Sequence, residues 1–210
     1  MDNVLKEFIG KTCLVYLDDI IIFSENKEEH LKHVREIAEC LRRHNLKVKL
    51  SKCKFAQDHV EYLSHIIGNG TIRPNPAKIE AVANFKRPTN VKTTQGFLGL
   101  VSYYRKFIKD CAKICSPLIS LTKKGVPFEW TDECEEAFDF LKLTLTQEGN
   151  ILILPDYDAP FRIETDASKY GVGGVLSQMH KNKWHPVSYF SKHLSKTENA
   201  STRYYIGFPN

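Results

Sequence analysis

A chain of 210 residues allows one large domain or two to three small ones, and 42% hydrophobic residues provide enough apolar material for a core. The mean hydropathy of −0.35 and the lack of any long apolar run exclude a helical membrane span. Net charge is uneven: residues 1–125 carry 22 Lys and Arg against 13 acids, a net +9, whereas residues 126–210 carry a net −4. A basic part beside an acidic one points the first toward a polyanion. Six cysteines at 13, 40, 53, 111, 115 and 134 contain no Cys-x-x-Cys pair, so they read as reduced thiols rather than a disulfide framework. With no secretory signal in Met1–Phe8, these features predict a cytoplasmic or nuclear protein, not a secreted one.

Residues 1–9 carry Val4, Leu5, Phe8 and Ile9 at spacings that fit the end of a helix, with Gly10 as its stop. Leu14 to Ser24 then places Asp18-Asp19 between two β-branched and aromatic runs, which predicts a strand, a tight turn holding both acids and a returning strand. If both flanks are buried, the paired charge needs a partner. Magnesium is the natural one, a hard cation commonly held by one or two carboxylates plus substrate phosphates. The alternative is a solvated Asp-Asp turn.

Asn26-x-x-Glu29 predicts a capped start for an amphipathic helix over 27–44, carrying Leu31, Val34, Ile37, Ala38 and Leu41 on one face. Leu46, Val48 and Leu50 alternate with lysines as a short half-buried strand would. Two strands around Gln57-Asp58 predict a hairpin, closed by Gly68-Asn69-Gly70. Pro76 opens a helix over 76–85 that Pro88 ends. Helices follow from Val91 to Ile108 and over 110–122, the latter interrupted or started at Pro117. Thr131 caps another, with Cys134, Ala137, Phe138, Leu141 and Leu145 inward. Strands are predicted at 160–166, 171–179 and 184–191, and Gly173-Gly174 marks a bulge or a close approach. His30-x-x-His33, Cys40-x-x-x-His44 and Cys111-x-x-x-Cys115 lack a second pair at metal spacing and read as structural.

Four segments in order carry a resemblance: Tyr16-Leu17-Asp18-Asp19-Ile20 through Ser24; Val60-Glu61-Tyr62-Leu63-Ser64-His65; Phe97-Leu98-Gly99-Leu100 through Ile108; and Glu164-Thr165-Asp166-Ala167-Ser168. Together they resemble the reverse transcriptase–ribonuclease H region of a gypsy-type LTR retrotransposon Pol polyprotein, over nearly the whole chain. The resemblance implies an α+β fold: the C-terminal half of a polymerase palm over 1–73, thumb helices over 74–128, the N-terminal part of a ribonuclease H-like α/β domain over 129–206, and a divergent tail at 207–210. It implies magnesium as cofactor and an RNA–DNA hybrid or primer–template duplex as partner, with no membrane.

Roles follow by position. Asp18 and Asp19 match the metal-binding catalytic acids, and Tyr16 lines the floor near the primer end. Tyr62, Leu63, Ser64 and His65 fall in the hairpin that holds the primer terminus. Gly99, Tyr104, Arg105, Lys106 and Lys109 lie on or beside the thumb helix that tracks the duplex minor groove. Asp166 matches the first metal-binding catalytic acid of the ribonuclease H site. The chain also departs from the family pattern. Fifteen residues precede Tyr16, where a palm has fingers and a third carboxylate well upstream, and Ile206 stands at the position of the second ribonuclease H acid. Ser64 replaces the usual Gly of the primer-holding turn. Read alone, the chain is expected to be an inactive fragment of an RNA-directed DNA polymerase with ribonuclease H that depends on missing polyprotein segments. The alternative is a non-catalytic nucleic-acid-binding remnant or domesticated module.

Overall fold

The computed structural model describes residues 1–147, 149–168 and 171–194, without the Ser168 side chain. The expectations placed on Ile206 and on the 207–210 tail lie outside this range. The fold is α+β. The chain divides into two compact units, one of residues 1–63 with 67–69 and one of residues 64–66 with 70 onward.

The first unit holds a two-stranded hairpin, β1 (Cys13–Tyr16) and β2 (Asp19–Ile22), followed by helix α1 (Lys27–Arg43). Cys13 pairs with Ile22 and Tyr16 with Asp19. The Asn26 side chain accepts the Glu29 N–H at 2.9 Å, satisfying one of the donors that a helix start leaves open. Ile37, Cys40 and Leu41 bury the inner face of α1 against Leu5 and Cys13, with Val15, Ile20 and Ile22 packed around them. Residues 1–9 form turns rather than a helix end, although Leu5 is fully buried. The strand predicted at 46–50 is not formed. Leu46, Val48 and Leu50 are all exposed, and a single 3-10 turn spans Leu50–Lys52. Alternation without a face to cover does not make a strand.

The unit boundary falls at strands β3 (His59–Tyr62) and β4 (His65–Gly68). The hairpin turn is Leu63-Ser64, not Gln57-Asp58. Leu63 and Ser64 both take left-handed backbone, φ 48° and 56°, as a two-residue type I′ turn requires. Asn69-Gly70 repeats that device with φ 50° and 69° before strand β5 (Thr71–Pro74).

In the second unit β5 pairs antiparallel with β6 (Leu152–Ile153). Helices α2 (Pro76–Ala83), α3 (Val91–Tyr103), α4 (Cys111–Ile114), α5 (Ser116–Leu121) and α6 (Asp132–Thr146) surround one continuous core. Asn75 and Asn90 cap α2 and α3, the latter with a reciprocal Thr93 capping box. Phe97, Val101, Leu118, Phe138, Leu141 and Leu145 are buried together in that core. The α6 face predicted from its spacing is the face that is buried. Because α6 packs among α2 to α5, residues 74–128 and the described part of 129–206 share one core.

The remaining sheet runs β7 (Phe161–Ser168), β8 (Gly171–His180) and β9 (Lys183–His193), antiparallel in that order. Gly173-Gly174 marks a close approach rather than the bulge, which lies at Leu176/Ser177. A Cβ on Gly174 would stand 2.4 Å from the Phe190 ring and 2.7 Å from the Glu164 carbonyl.

Candidate nucleic-acid and metal sites

In the first unit the turn of the β1–β2 hairpin is Leu17-Asp18, with Leu17 at φ 54°; Asp19 is already the first residue of β2. Both acids are exposed, as are Leu14, Tyr16 and Leu17, because only one face of the hairpin packs on α1. The carboxylates are therefore solvated, and the desolvation argument for a bound cation does not apply. Tyr62 comes near them: burial raises its hydroxyl pKa and the Asp19 charge raises it further. Tyr16 and Asp19 pair across the hairpin, and Tyr62 feels the Asp19 charge. At the end of β2, Ser24 Oγ meets His33 Nδ1 at 2.7 Å and His30 Nδ1 at 3.3 Å, which ties the hairpin exit to α1. Spacing alone showed the two histidines on one face but gave no sign of the serine they share.

In the second unit the Ser64 carbonyl accepts two hydrogen bonds, from Tyr104 Oη and from the Asn75 N–H, each at 3.2 Å. His65 is buried between aromatic rings, stacked on Tyr103 and Phe107 at 5.7 and 5.6 Å and edge-on to Tyr104. The end of this turn is thereby anchored to the segment that follows α3.

The exposed stripe of α3 runs Lys92, Gln95, Gly96, Gly99, Ser102 and Tyr103. Nothing lies within 4 Å of where a Gly99 side chain would be. Tyr104, expected beside the duplex, is instead only 3% exposed; its ring is in the core and its hydroxyl is engaged. The helix ends there, and the 3-10 turn Arg105–Phe107 rotates the following residues. Tyr103 is the outward ring, a distinction that two adjacent tyrosines do not reveal in sequence. Arg105 donates to the Ser191 carbonyl on β9. Lys106 is partly buried with its ammonium 5.2 Å from the centre of the Phe107 ring, and burial lowers its pKa. Lys109 is exposed.

Asp166 lies on β7 opposite Gly173 and is exposed. It lines a small cleft with Asp110, Lys113, Ser191, Lys192 and His193. Asp110, absent from the sequence reading, takes φ 55° just before α4, and its Oδ1 would be 3.0 Å from a Cβ on Gly173. No motif marked it, since only the β8 register brings it there. Among the described residues no three His, Cys, Asp or Glu side chains converge as a metal site, and no helix is long and apolar enough to cross a membrane.

A hairpin presenting paired acids, a β-turn anchored to helices and an antiparallel sheet opening a second α/β element together define a reverse transcriptase-type architecture. Residues 1–67 match the family described as reverse transcriptase (RNA-dependent DNA polymerase), and residues 130–206 match the RNase H-like domain found in reverse transcriptase. The Pol polyproteins of the Drosophila melanogaster transposons opus, gypsy and 297 are 39%, 38% and 42% identical, each over 94% of this chain. The chain spans 21%, 20% and 18% of their respective lengths. Among solved structures, the foamy viral protease–reverse transcriptase in complex with double-stranded DNA matches with TM-score 0.79 at 26% identity, over 94% of this chain and 34% of that one. The same viral protein in complex with an RNA/DNA hybrid matches with TM-score 0.76 at 27% identity, over 94% and 27%. The chain belongs to the reverse transcriptase and RNase H-like region of the retrotransposon Pol polyproteins.

Proposed function

We propose that this chain is the duplex-gripping part of an RNA-directed DNA polymerase, contributing two acids to its metal site and working within a longer Pol polyprotein. The observation that carries this reading is where the positive charge sits. Residues 70–125 hold eleven Lys and Arg against two acids, whereas residues 1–69 are balanced at eleven each. The whole +9 of the basic part therefore belongs to residues 70–125, which hold β5, α2 to α5 and the lysines that follow α5. Along α3 the exposed stripe is polar and small, and its Gly99 backbone is open to close approach. Such a surface suits a hybrid duplex, which is held by shape, sugar and phosphate rather than by base edges.

Asp18 and Asp19, adjacent and exposed, fit a magnesium ion that completes its shell with substrate phosphates and water. When bound, magnesium steadies the attacking and leaving oxygens of nucleotide transfer. Asp18 and Asp19 hold it on a turn stiffened by β pairing, and Tyr16 flanks the same turn opposite Asp19. Asp166 takes the corresponding place in the RNase H-like part, where hydrolysis needs further acids. A second reading, duplex binding without chemistry, is favoured for the isolated chain, since its hairpin presents only two acids.

Binding and extension assays on the full chain test both readings. An RNA/DNA hybrid is expected to bind with strong salt dependence. Lys92→Gln with Lys109→Gln should reduce the log–log salt slope by about 0.9 per lost phosphate contact. Binding insensitive to salt, or unaltered by that pair, would overturn the grip. Magnesium-dependent primer extension by the chain alone, lost in Asp18→Asn with Asp19→Asn, would overturn the second reading.

A further inference from the structure

We propose that Cys111 and Cys115 form a reversible oxidation site, closing an intramolecular disulfide when a hydroperoxide reaches them. Their sulfur atoms lie 3.8 Å apart in the core of the second unit. No family motif named above includes either residue. The two thiols span a break in the helical path: α4 is four residues long, Cys115 ends it, and α5 begins at Ser116 with Pro117 behind it. Residues one turn apart on a helix have Cα atoms about 6 Å apart, inside the range of roughly 4.4–6.8 Å that disulfides occupy. A helix of one turn imposes little rigidity on the closing motion. The sulfurs of Cys40 and Cys53 face backbone carbonyls, and that of Cys134 faces the Thr131 hydroxyl. Proximity of two thiols is thus specific to this pair among those.

The environment also divides the roles. The two thiols share a hydrogen bond that either can donate; that contact, against the opposing effect of burial and with the Arg105 charge, lowers the Cys111 thiol, while the contact and burial push Cys115 up. Cys111 serves as the nucleophile, and the same bridge closes with the two roles exchanged. The Cys111 thiolate attacks the terminal peroxide oxygen, the O–O bond breaks, and Cys111 becomes a sulfenic acid as hydroxide or alkoxide leaves and takes up the proton the Cys111 thiol gave up, departing as water or an alcohol. The Cys115 sulfur then attacks the sulfenic sulfur. The S–S bond forms, the S–OH bond breaks, and hydroxide departs with the Cys115 proton as water. Two thiols are oxidised by two electrons and the hydroperoxide is reduced by two.

Closure also reaches β9. Between the two cysteines, the Ala112 N–H donates to Ser191 Oγ at 2.8 Å, and Arg105 donates to the Ser191 carbonyl. Drawing the sulfurs from 3.8 Å to about 2 Å tightens the turn that makes this contact.

The test treats the full chain, in a Cys53→Ser background that removes the least buried thiol, with hydrogen peroxide. Remaining thiols are alkylated under denaturing conditions before tryptic digestion. Cleavage after Lys113 separates the two cysteines, so the bridge appears as peptides 110–113 and 114–123 joined, released by dithiothreitol. Cys115→Ser is expected to abolish the joined species and let Cys111 proceed to sulfinic acid. Circular dichroism checks that the variant is folded; if it is not, the unmutated pair decides through its linkage and its reversal. Full alkylation of both cysteines after peroxide has oxidised Cys53 in the parent chain would overturn the proposal. So would linkage of either one to a different cysteine.

Discussion

Single positions in this chain are governed by backbone as much as by side-chain chemistry. Ser64 occupies left-handed backbone at φ 56°, where a Cβ costs about 1–2 kcal/mol, while glycine loses roughly 0.5–1 kcal/mol more entropy on folding. Ser64→Gly is therefore expected to stabilise the protein by up to about 1 kcal/mol; an unchanged or lower urea midpoint would contradict this. Gly174 is the opposite case. Its missing Cβ leaves room for the Phe190 ring and the Glu164 carbonyl, and strand backbone cannot yield cheaply. Gly174→Ala should destabilise by about 1–3 kcal/mol, measured by the same denaturation. Tyr104→Phe removes a hydrogen bond to the Ser64 carbonyl and is expected to cost about 0.5–1.5 kcal/mol while leaving hybrid affinity intact. A selective loss of affinity with normal stability would return Tyr104 to the duplex. The outward glycines and acids were legible in the motifs. Which of Tyr103 and Tyr104 turns inward was not, because that depends on the helix ending at Tyr103, five residues before its hydrophobic pattern does.

Elements bounded by local chemistry were the ones most readable in the sequence. Asn26, Asn75 and Asn90 each cap the helix expected after them, since a cap needs only its own side chain and the next turn. Asn90→Ala should cost about 1 kcal/mol, read as a lower denaturation midpoint and faster hydrogen exchange in α3; unaltered exchange there would show that packing of Phe97 and Val101 holds the helix start unaided. Elements that depend on partners were misread. The stretch 46–50 alternates properly yet pairs with nothing. For the β3–β4 hairpin, Gln57-Asp58 have the residue types that favour turns, whereas Leu63-Ser64 makes the turn against local preference. The paired acids were read in the right hairpin, but their flanks proved exposed, a property set by what covers a strand rather than by its own residues.

At the scale of the molecule the two units differ in their means of stability. The first buries five apolar side chains in its core cluster, the second sixteen, so the second is expected to resist opening more strongly. Hydrogen exchange should find amides of α1 and the β1–β2 hairpin exchanging well before those of α3 and α6. Equal protection would mean that the small core is held by more than its own contacts. Within the second unit β7 is an edge strand whose described side chains are exposed, Ile163 at 65%, so its unpaired side should exchange first. Val172, Val175 and Leu176 on the neighbouring β8 are half-buried.

The unit boundary has a consequence for dissection. The chain passes from the first unit to the second after Leu63, returns after Ile66 and leaves again after Asn69. No single scission separates the two bodies: a break on either side of β4 leaves each half with residues that belong to the other. A cassette exchange between related elements, or an expression boundary placed anywhere from 63 to 69, would leave residues of one unit on the other piece. A piece that holds the first unit whole must run to Asn69, and one that holds the second whole must start by Ser64.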